Sequence, residues 1–300
     1  MLAPLMSVTV VVPARNEAER IVACVDSIFA AASTAGLEAE VVVVDDNSSD
    51  ATAANAAAAG AAVVRQPQRR GPLAAWAMGV SAARSPLIVF VDGDCTVEPE
   101  ALGELVATLS RPGVGVAAGR AVPLASPSRA RLIRRSSRFS AALLDQVKKR
   151  LSNHDFLPIG RLMAIRKAAW EVDMVEVPPC DRRVAQAAKA AGWKVVWVPD
   201  AKVYYRPPDS YGALRAEWLR TRRALRLVPT RFDTLPASVL LLAAWAAMRQ
   251  SPLDALAWAT CHTTLVAEQL ARRSTIDVTA SWGTYRAEQT AGSSPDARTD

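Results

Sequence analysis

The 300-residue sequence has only two histidines and four cysteines, and the cysteines at 24, 95, 180 and 261 form no CxxC pair. That scarcity speaks against a zinc centre and against a disulfide framework, and points to a reducing compartment. Aromatic residues make up only 6% of the chain, and no repeat of fixed period is present. A secretory leader is not expected at the opening residues, since 1–6 carry no basic side chain and the apolar run 8–12 stops at Pro13 and Arg15. Nor does any apolar stretch reach the ~20 residues a spanning helix needs. Residues 236–248 are too few, and 253–271 is interrupted by Asp254, His262 and Glu268. Homeodomain, zinc-finger and RRM patterns are absent, so nucleic acid is not an expected partner.

What is present is a chain that can build a core. Hydrophobic residues make up 51% and charged residues 22%, which excludes disorder. The formal charge of +7 conceals an asymmetry: residues 1–104 carry 6 basic and 13 acidic side chains, the remainder 30 and 16. An acidic front half and a basic back half suggest a cation site followed by a surface for anions, such as phosphates or acidic lipid head groups.

The first 120 residues alternate strand and helix signals. Runs 7–12 and 41–44 are β-branched and continuous, the pattern of strands buried on both faces. Between them, 17–35 has helical spacing through Ile21, Val25, Ile28 and Phe29. An alanine-rich helix over 50–59 is capped by Ser49 or Asp50, and a strand over 61–64, a helix over 73–83 and a strand over 86–91 follow. This order predicts an α/β fold, a mostly parallel sheet with helices on both faces, with ligands outside the carboxyl ends of the strands. Those ends read Pro13-Ala14-Arg15-Asn16-Glu17, Asp45-Asp46-Asn47-Ser48-Ser49-Asp50, Arg65 and Asp92-Gly93-Asp94.

Beyond residue 120 the composition changes. Residues 126–151 hold eight basic side chains and one acid, Asp145, with an apolar stripe through Leu132, Ile133, Phe139, Leu143, Leu144 and Val147. A strand over 160–166, a helix over 181–191 and a strand over 193–198 precede an arginine-rich helix over 211–227. Two apolar helices, 236–248 and 253–271, and a polar tail end the chain. The helices form either a packed soluble hairpin or an interfacial one that meets acidic lipids together with the basic segment.

Two carboxylates separated by glycine directly after a buried strand make a compact oxygen site for Mn²⁺ or Mg²⁺. Gly93 is expected to let the turn bend and a ligand approach. At Asp45-Asp46 a carboxylate can accept from a base N–H, although Asp and Ser are also ordinary residues of a capped turn.

Taken together, the motifs at 13–17, at 42–50 and at 90–94, with Arg70-Gly71 before the helix at 73, resemble the family-2 glycosyltransferases of GT-A fold. The resemblance is close over 6–120 and looser over 120–225. It implies a nucleotide-diphosphate sugar donor, a divalent cation on the Asp-x-Asp, and inversion at the anomeric carbon. It also implies that Pro13, Arg15, Glu17 and Asp46, with Asp45, hold the nucleoside, alongside Arg70. Asp92 then faces ribose or diphosphate beside Gly93, and Asp94 with Asp92 faces the metal.

The family's general base is the aspartate of a Glu-Asp pair eleven residues before the glycine of an Ala-Gly-aromatic turn. Ala191-Gly192-Trp193 matches that turn and places Asp181 as the base, with Cys180 in place of the glutamate and Arg183 where a second acid is common. Read without the resemblance, Asp181 is an ordinary helix cap. Long-chain synthases of the family carry Gln-x-x-Arg-Trp, where this chain has Glu217, Arg220 and Thr221, so a single transfer is expected. One of Arg220, Arg222 and Arg223 is left to neutralise the leaving diphosphate, with Arg220 the first choice. His154 precedes the presumed acceptor segment, and the tryptophans read as core or interface.

The expected organisation is a GT-A type domain over 1–230, with a nucleotide-sugar half (1–120) and an acceptor half (121–230). A helical hairpin appendage (231–275) and a polar tail (276–300) complete it. The acceptor is a small molecule or a lipid-linked one, and an acidic membrane surface is a further candidate partner. The expected location is cytoplasmic, with peripheral attachment to the cytoplasmic face of a membrane as the variant. Two rival readings are a sugar-1-phosphate nucleotidyltransferase, which needs a glycine-rich loop absent after the first strand, and a non-catalytic sugar-nucleotide-binding subunit.

Overall fold

The computed structural model describes residues 6–124, 131–151, 160–170, 180–208, 210–227 and 237–271, without the side chains of 180, 220–227, 237 and 269–271. His154, the polar tail and the side chains of Arg220, Arg222 and Arg223 therefore lie outside the described residues.

The amino-terminal half follows the expected order. β1 (Met6–Ala14), α1 (Ile21–Thr34), β2 (Leu37–Asp45), α2 (Thr52–Ala58), β3 (Ala62–Arg65), α3 (Pro72–Ala82) and β4 (Leu87–Val91) alternate along the chain. β1 lies between β2 and β4, and β3 pairs with β2, all in parallel. β2 begins four residues before the valine run. Its partner β3 covers only Val42 to Asp45, so Leu37 to Glu40 have a sheet neighbour on one side only and can include glutamates. α1 begins later than the spacing suggests, because the backbone N–H groups of Arg20 and Ile21 both donate to the Glu17 carbonyl in a tight entry turn.

After β4 the sheet becomes mixed. β5 (Cys95–Val97), α4 (Ala101–Leu109) and β6 (Val114–Pro123) lie where the sequence pattern assigned no element. α5 (Arg131–Arg150), β7 (Leu162–Arg166), α6 (Cys180–Ala190) and β8 (Lys194–Tyr205) follow, and the sheet order is β3-β2-β1-β4-β7-β6-β8-β5. β7 is antiparallel to both β4 and β6, and it brings residue 161 alongside residue 92.

β6 escapes sequence reading because it is rich in glycine and alanine, and packing explains that composition. A Cβ at Gly115 would lie 2.6 Å from Trp193, and one at Gly119 would lie 2.6 Å from the Ala201 carbonyl and 2.7 Å from Leu162. The small residues permit the close approach.

The core lies on both faces of the sheet. One layer packs Ile21, Ile28, Leu102, Leu105 and Leu109 of α1 and α4 against the valines of β1, β2 and β4. The other packs Leu73, Trp76, Val184 and Ala188 of α3 and α6 against Val11, Ile88 and Phe90. There Trp76 stacks on Phe90 with ring centroids 4.3 Å apart. α3 crosses β1 at Gly79, where a Cβ would lie 2.2 Å from a Val11 methyl. Gly79→Ala is therefore expected to cost ~1–3 kcal/mol by overpacking, despite the better helix propensity of alanine. Urea denaturation followed by circular dichroism checks this, and an unchanged midpoint would show that the two elements can separate freely.

α7 (Tyr211–Leu227), α8 (Ala237–Gln250) and α9 (Pro252–Ala271) complete the described chain. Ile133, Leu214, Cys261 and Leu265 of α5, α7 and α9 form a separate small core with Tyr211 and Trp218. Arg138 and Arg135 of α5 reach Asp254 at 2.9 and 3.4 Å, and Arg215 reaches Glu268 at 3.2 Å. Among the described residues, no helix is long and apolar enough to cross a membrane.

Candidate active site

The carboxyl ends of β1, β2 and β4 meet in one polar region, and hydrogen bonds between their loops set its shape. Asn16 and Asn47 both take positive φ, 55° and 56°, a conformation asparagine tolerates better than most side chains. The turn at Asn16 lets its N–H donate to Ser48 Oγ (3.0 Å) while its Oδ1 accepts from the Ser49 N–H (2.9 Å). Glu17 N–H donates to Thr52 Oγ1 and Ala18 N–H to Asp50 Oδ2. Neither Ser49 nor Asp50 occupies the cap of α2: the helix starts at Thr52 with Ala51 in the cap position, and Asp50, one residue further out, accepts from the Thr52 N–H and hydroxyl.

The two acids at the carboxyl end of β2 are buried and already engaged. Asp45 Oδ1 accepts from the Ser48 N–H, and Arg65 Nε lies 3.2 Å from its Oδ2, off the hydrogen-bonding direction. Asp46 accepts from the backbone N–H groups of Arg70 (2.7 Å) and Gly71 (3.0 Å), clamping the bend that starts α3. Gly71 has φ 84°, so the bend needs glycine there. The Arg70 and Arg15 side chains are exposed, and Pro13 is partly buried.

Gly93 does not take a positive φ, and its freedom is not used for a bend. A Cβ there would lie 3.2 Å from both the Pro13 carbonyl and Ala14 Cβ, so glycine lets the Asp92–Asp94 turn lie against the end of β1. The carboxylates of Asp92 and Asp94 and the Cys95 thiol lie within 4.8 Å of one another. Burial pushes the Cys95 thiol far up, and the neighbouring carboxylates of Asp94 and Asp92 push it further. It therefore stays a neutral thiol, donating to Asp94 Oδ1 at 3.1 Å. The ligand atoms on offer are carboxylate oxygens, a donor set suited to a hard divalent cation. Glu17 adds to the negative charge nearby: burial raises its carboxyl, Arg20 at 2.6 Å lowers it, and Asp94 and Asp50 raise it again.

Arg161 faces these acids, a residue that the sequence reading does not single out. Its Nη1 contacts both Asp94 oxygens at 2.8 and 2.9 Å and lies 3.7 Å from Asp92. Its guanidinium lies 4.4 Å from the centre of the Tyr205 ring. Burial pushes the Tyr205 hydroxyl up to about 12, so it stays protonated at neutral pH.

One residue before Arg161, the Gly160 N–H donates to Asp181 Oδ2 at 3.1 Å, while Asp181 Oδ1 accepts from the Arg182 N–H at 2.8 Å. Asp181 is thus joined to Asp94 through the Gly160–Arg161 step. Protein packed around its carboxyl raises its pKa, and the Gly160 and Arg182 amides, the Arg182 charge and the Lys148 charge pull it back only in part. The arginines beside it do not reverse the shift. Lys148, buried in α5, is lowered to about 8 by desolvation, against the opposing pull of Asp145 and Asp181. A small cleft open to solvent lies here, lined among others by Ser140, Leu144, Asp145, Lys148, Arg161 and Glu217. Arg120 holds Asp145 at 2.6 Å on its wall.

The structure therefore brings Asp92, Asp94, Glu17 and Asp181 to one region, and places Asp46 and Arg70 on the adjoining loop. His262, the other histidine, stacks on Trp258 and bonds its carbonyl within α9.

Comparison with known proteins gives a consistent picture. The model of glycosyl transferase family 2 matches residues 9–172. No curated protein matches the chain. Among solved structures, the mannosyltransferase PcManGT from Pyrobaculum calidifontis, in complex with GDP-Man and Mn²⁺, superposes with a TM-score of 0.57 at 20% identity, over 94% of this chain and 80% of that one. A mycobacterial protein gives 0.53 at 25% identity over 73% of each chain. Glucosyl-3-phosphoglycerate synthase from Mycobacterium tuberculosis, in complex with phosphoglyceric acid, gives 0.51 at 21% identity, over 73% of this chain and 79% of that one. At these identities the likeness is one of fold.

Proposed function

The chain belongs to glycosyl transferase family 2, and we propose that it moves one sugar from a nucleotide-diphosphate sugar to an acceptor hydroxyl, with inversion at the anomeric carbon. The observation that carries this reading is the path Asp94–Arg161–Gly160–Asp181, which joins the carboxylate pair at the end of β4 to a carboxyl of raised pKa that is hydrogen-bonded to Gly160 in the cleft wall. Two solved proteins of this fold, the mannosyltransferase with GDP-Man and Mn²⁺ and the synthase with UDP-Glc and Mn²⁺, support the choice of donor and metal by analogy.

In this reading Pro13, Arg15 and Glu17 flank the nucleoside, while Asp45, Asp46 and Arg70 shape the adjoining loop. Asp92 and Asp94 are the residues that would hold Mn²⁺ or Mg²⁺. When bound, the divalent cation supplies positive charge against the diphosphate. Arg161, which lies beside the carboxylate pair, and Arg220 of α7 are the two candidates to meet the diphosphate oxygens. The acceptor, a small molecule or a lipid-linked one, binds in the cleft. Its hydroxyl proton passes to the Asp181 carboxylate as its oxygen bonds to the anomeric carbon. The bond from that carbon to the diphosphate oxygen breaks on the opposite face. The family assignment sets aside the nucleotidyltransferase alternative, and the expected setting is cytoplasmic.

The test is a thermal-shift screen of nucleotide diphosphates and their sugars with Mn²⁺, followed by transfer assays with the donor that stabilises most. Products are expected to carry a single added sugar, with β linkage from an α-linked donor when the anomeric proton is read by NMR. A ladder of extended products, or retention of configuration, would overturn the reading.

A further inference from the structure

We infer that the α8–α9 turn is a docking surface for an anionic lipid bilayer. Eight of the twelve exposed large hydrophobic side chains among the described residues lie on these two helices. Scattered apolar residues are normal on a protein surface, but a contiguous group marks an interaction site. Here Leu241, Trp245 and Met248 follow i, i+4, i+7 spacing along α8, and Leu253 and Leu256 open α9 directly after a tight turn at Ser251. Leu241, Leu253 and Leu256 are 70%, 61% and 65% exposed.

The charges beside this face choose its occupant. Arg249 lies over the Trp245 ring at 4.6 Å. Arg131, Arg135 and Arg138 follow i, i+4, i+7 spacing on α5, and two of them share the single carboxylate of Asp254 in the first turn of α9. Positive charge therefore remains in excess around an apolar, tryptophan-bearing tip. That is the combination an interfacial helix uses: apolar side chains enter the boundary below the head groups, and arginines meet anionic lipid. A second copy is a poorer occupant, because two-fold pairing through this face would bring the same arginines against each other. Spanning is excluded on length for α8, whose 14 residues extend ~21 Å against a hydrocarbon core of ~30 Å. The cleft side chains Ser140, Leu144 and Lys148 sit further along the same helix α5, so docking would hold the cleft near the lipid surface.

Flotation of the full-length protein with vesicles tests this without any transfer assay, so its failure is separable from failure of the catalytic reading. Vesicles of equal parts phosphatidylcholine and phosphatidylglycerol are expected to carry the protein up the gradient, and phosphatidylcholine alone is not. Raised salt should weaken the association. The double variant Leu253→Asp, Leu256→Asp should lower vesicle affinity by at least ~10-fold, and Arg249→Gln by ~5-fold, with melting temperatures unchanged because these side chains are exposed. Absence of flotation with the anionic vesicles would overturn the inference. So would undiminished flotation of the double leucine variant, which would assign binding to the α5 arginines alone. A wild-type dimer in analytical ultracentrifugation that the double variant converts to monomer, with no vesicle binding by either, would assign the face to a second copy.

Discussion

Asp94→Asn is expected to weaken Mn²⁺-supported binding of the nucleotide sugar by ~10²-fold or more, since even changes in groups that only orient metal ligands cost 10–100-fold. Asparagine keeps the size and one oxygen but removes the negative charge that a divalent cation requires. The fold should tolerate the change: the Asp94 side chain is partly exposed, and its contacts are to Arg161 and the Cys95 thiol rather than to the core. Calorimetric titration of the donor with and without Mn²⁺ separates the contributions. The wild type should gain affinity with the metal and the variant should gain little. Because Arg161 loses its best partner in the variant, metal-free donor affinity provides the necessary control. An equal gain on adding Mn²⁺ in both proteins would remove Asp94 from the metal site.

The residues this experiment addresses were legible in the sequence for a simple reason. In a parallel sheet the loops at the strand ends are local: a buried β-branched run names the strand, and the polar residues after it name the site. Asp45, Asp46, Asp92 and Asp94 all follow such runs. Arg161 is different. It gains its role because β7 returns antiparallel beside β4, a pairing between segments some seventy residues apart that no local pattern encodes. Lys148 reads as one more cation on a solvated helix face, yet it is buried between Asp145, Asp181 and Trp197. Asp46 was legible as a site residue but not in its contacts, since both its oxygens are held by the backbone of a loop twenty-four residues on. β6 stayed unread because Gly115 and Gly119 lower the strand signal at the very positions where neighbouring elements come closest.

Asp181→Asn should lower turnover by ~10²–10⁴-fold, the usual cost of losing a general base. Asparagine is close to aspartate as a helix cap, so a capping role alone predicts near-normal turnover. The structure adds two requirements that make the test sharper. First, both Asp181 oxygens accept backbone N–H groups, and the amide can keep only one of those bonds, a loss of ~1 kcal/mol. Second, the raised pKa has a sign. A carboxyl whose folded value exceeds its unfolded value contributes stability below the unfolded value and loses it as pH rises through the folded one. At neutral pH the ionised form therefore burdens the fold, and removing its charge offsets the lost hydrogen bond, so the melting temperature should change little. In the wild type the base must be ionised to act, so the acid limb of kcat/KM should fall above the ~4 of an ordinary carboxylate. That limb should disappear from the residual rate of the variant. Donor affinity should be nearly unchanged, because the donor is assigned to the β1, β2 and β4 strand ends. Turnover near normal, with the acid limb in place, would return Asp181 to a structural role and move the search to Asp155, Asp173 or Glu176, which lie outside the described residues. Collapse of turnover with donor binding intact would also dispose of the non-catalytic subunit, since a protein that only binds has no turnover to lose.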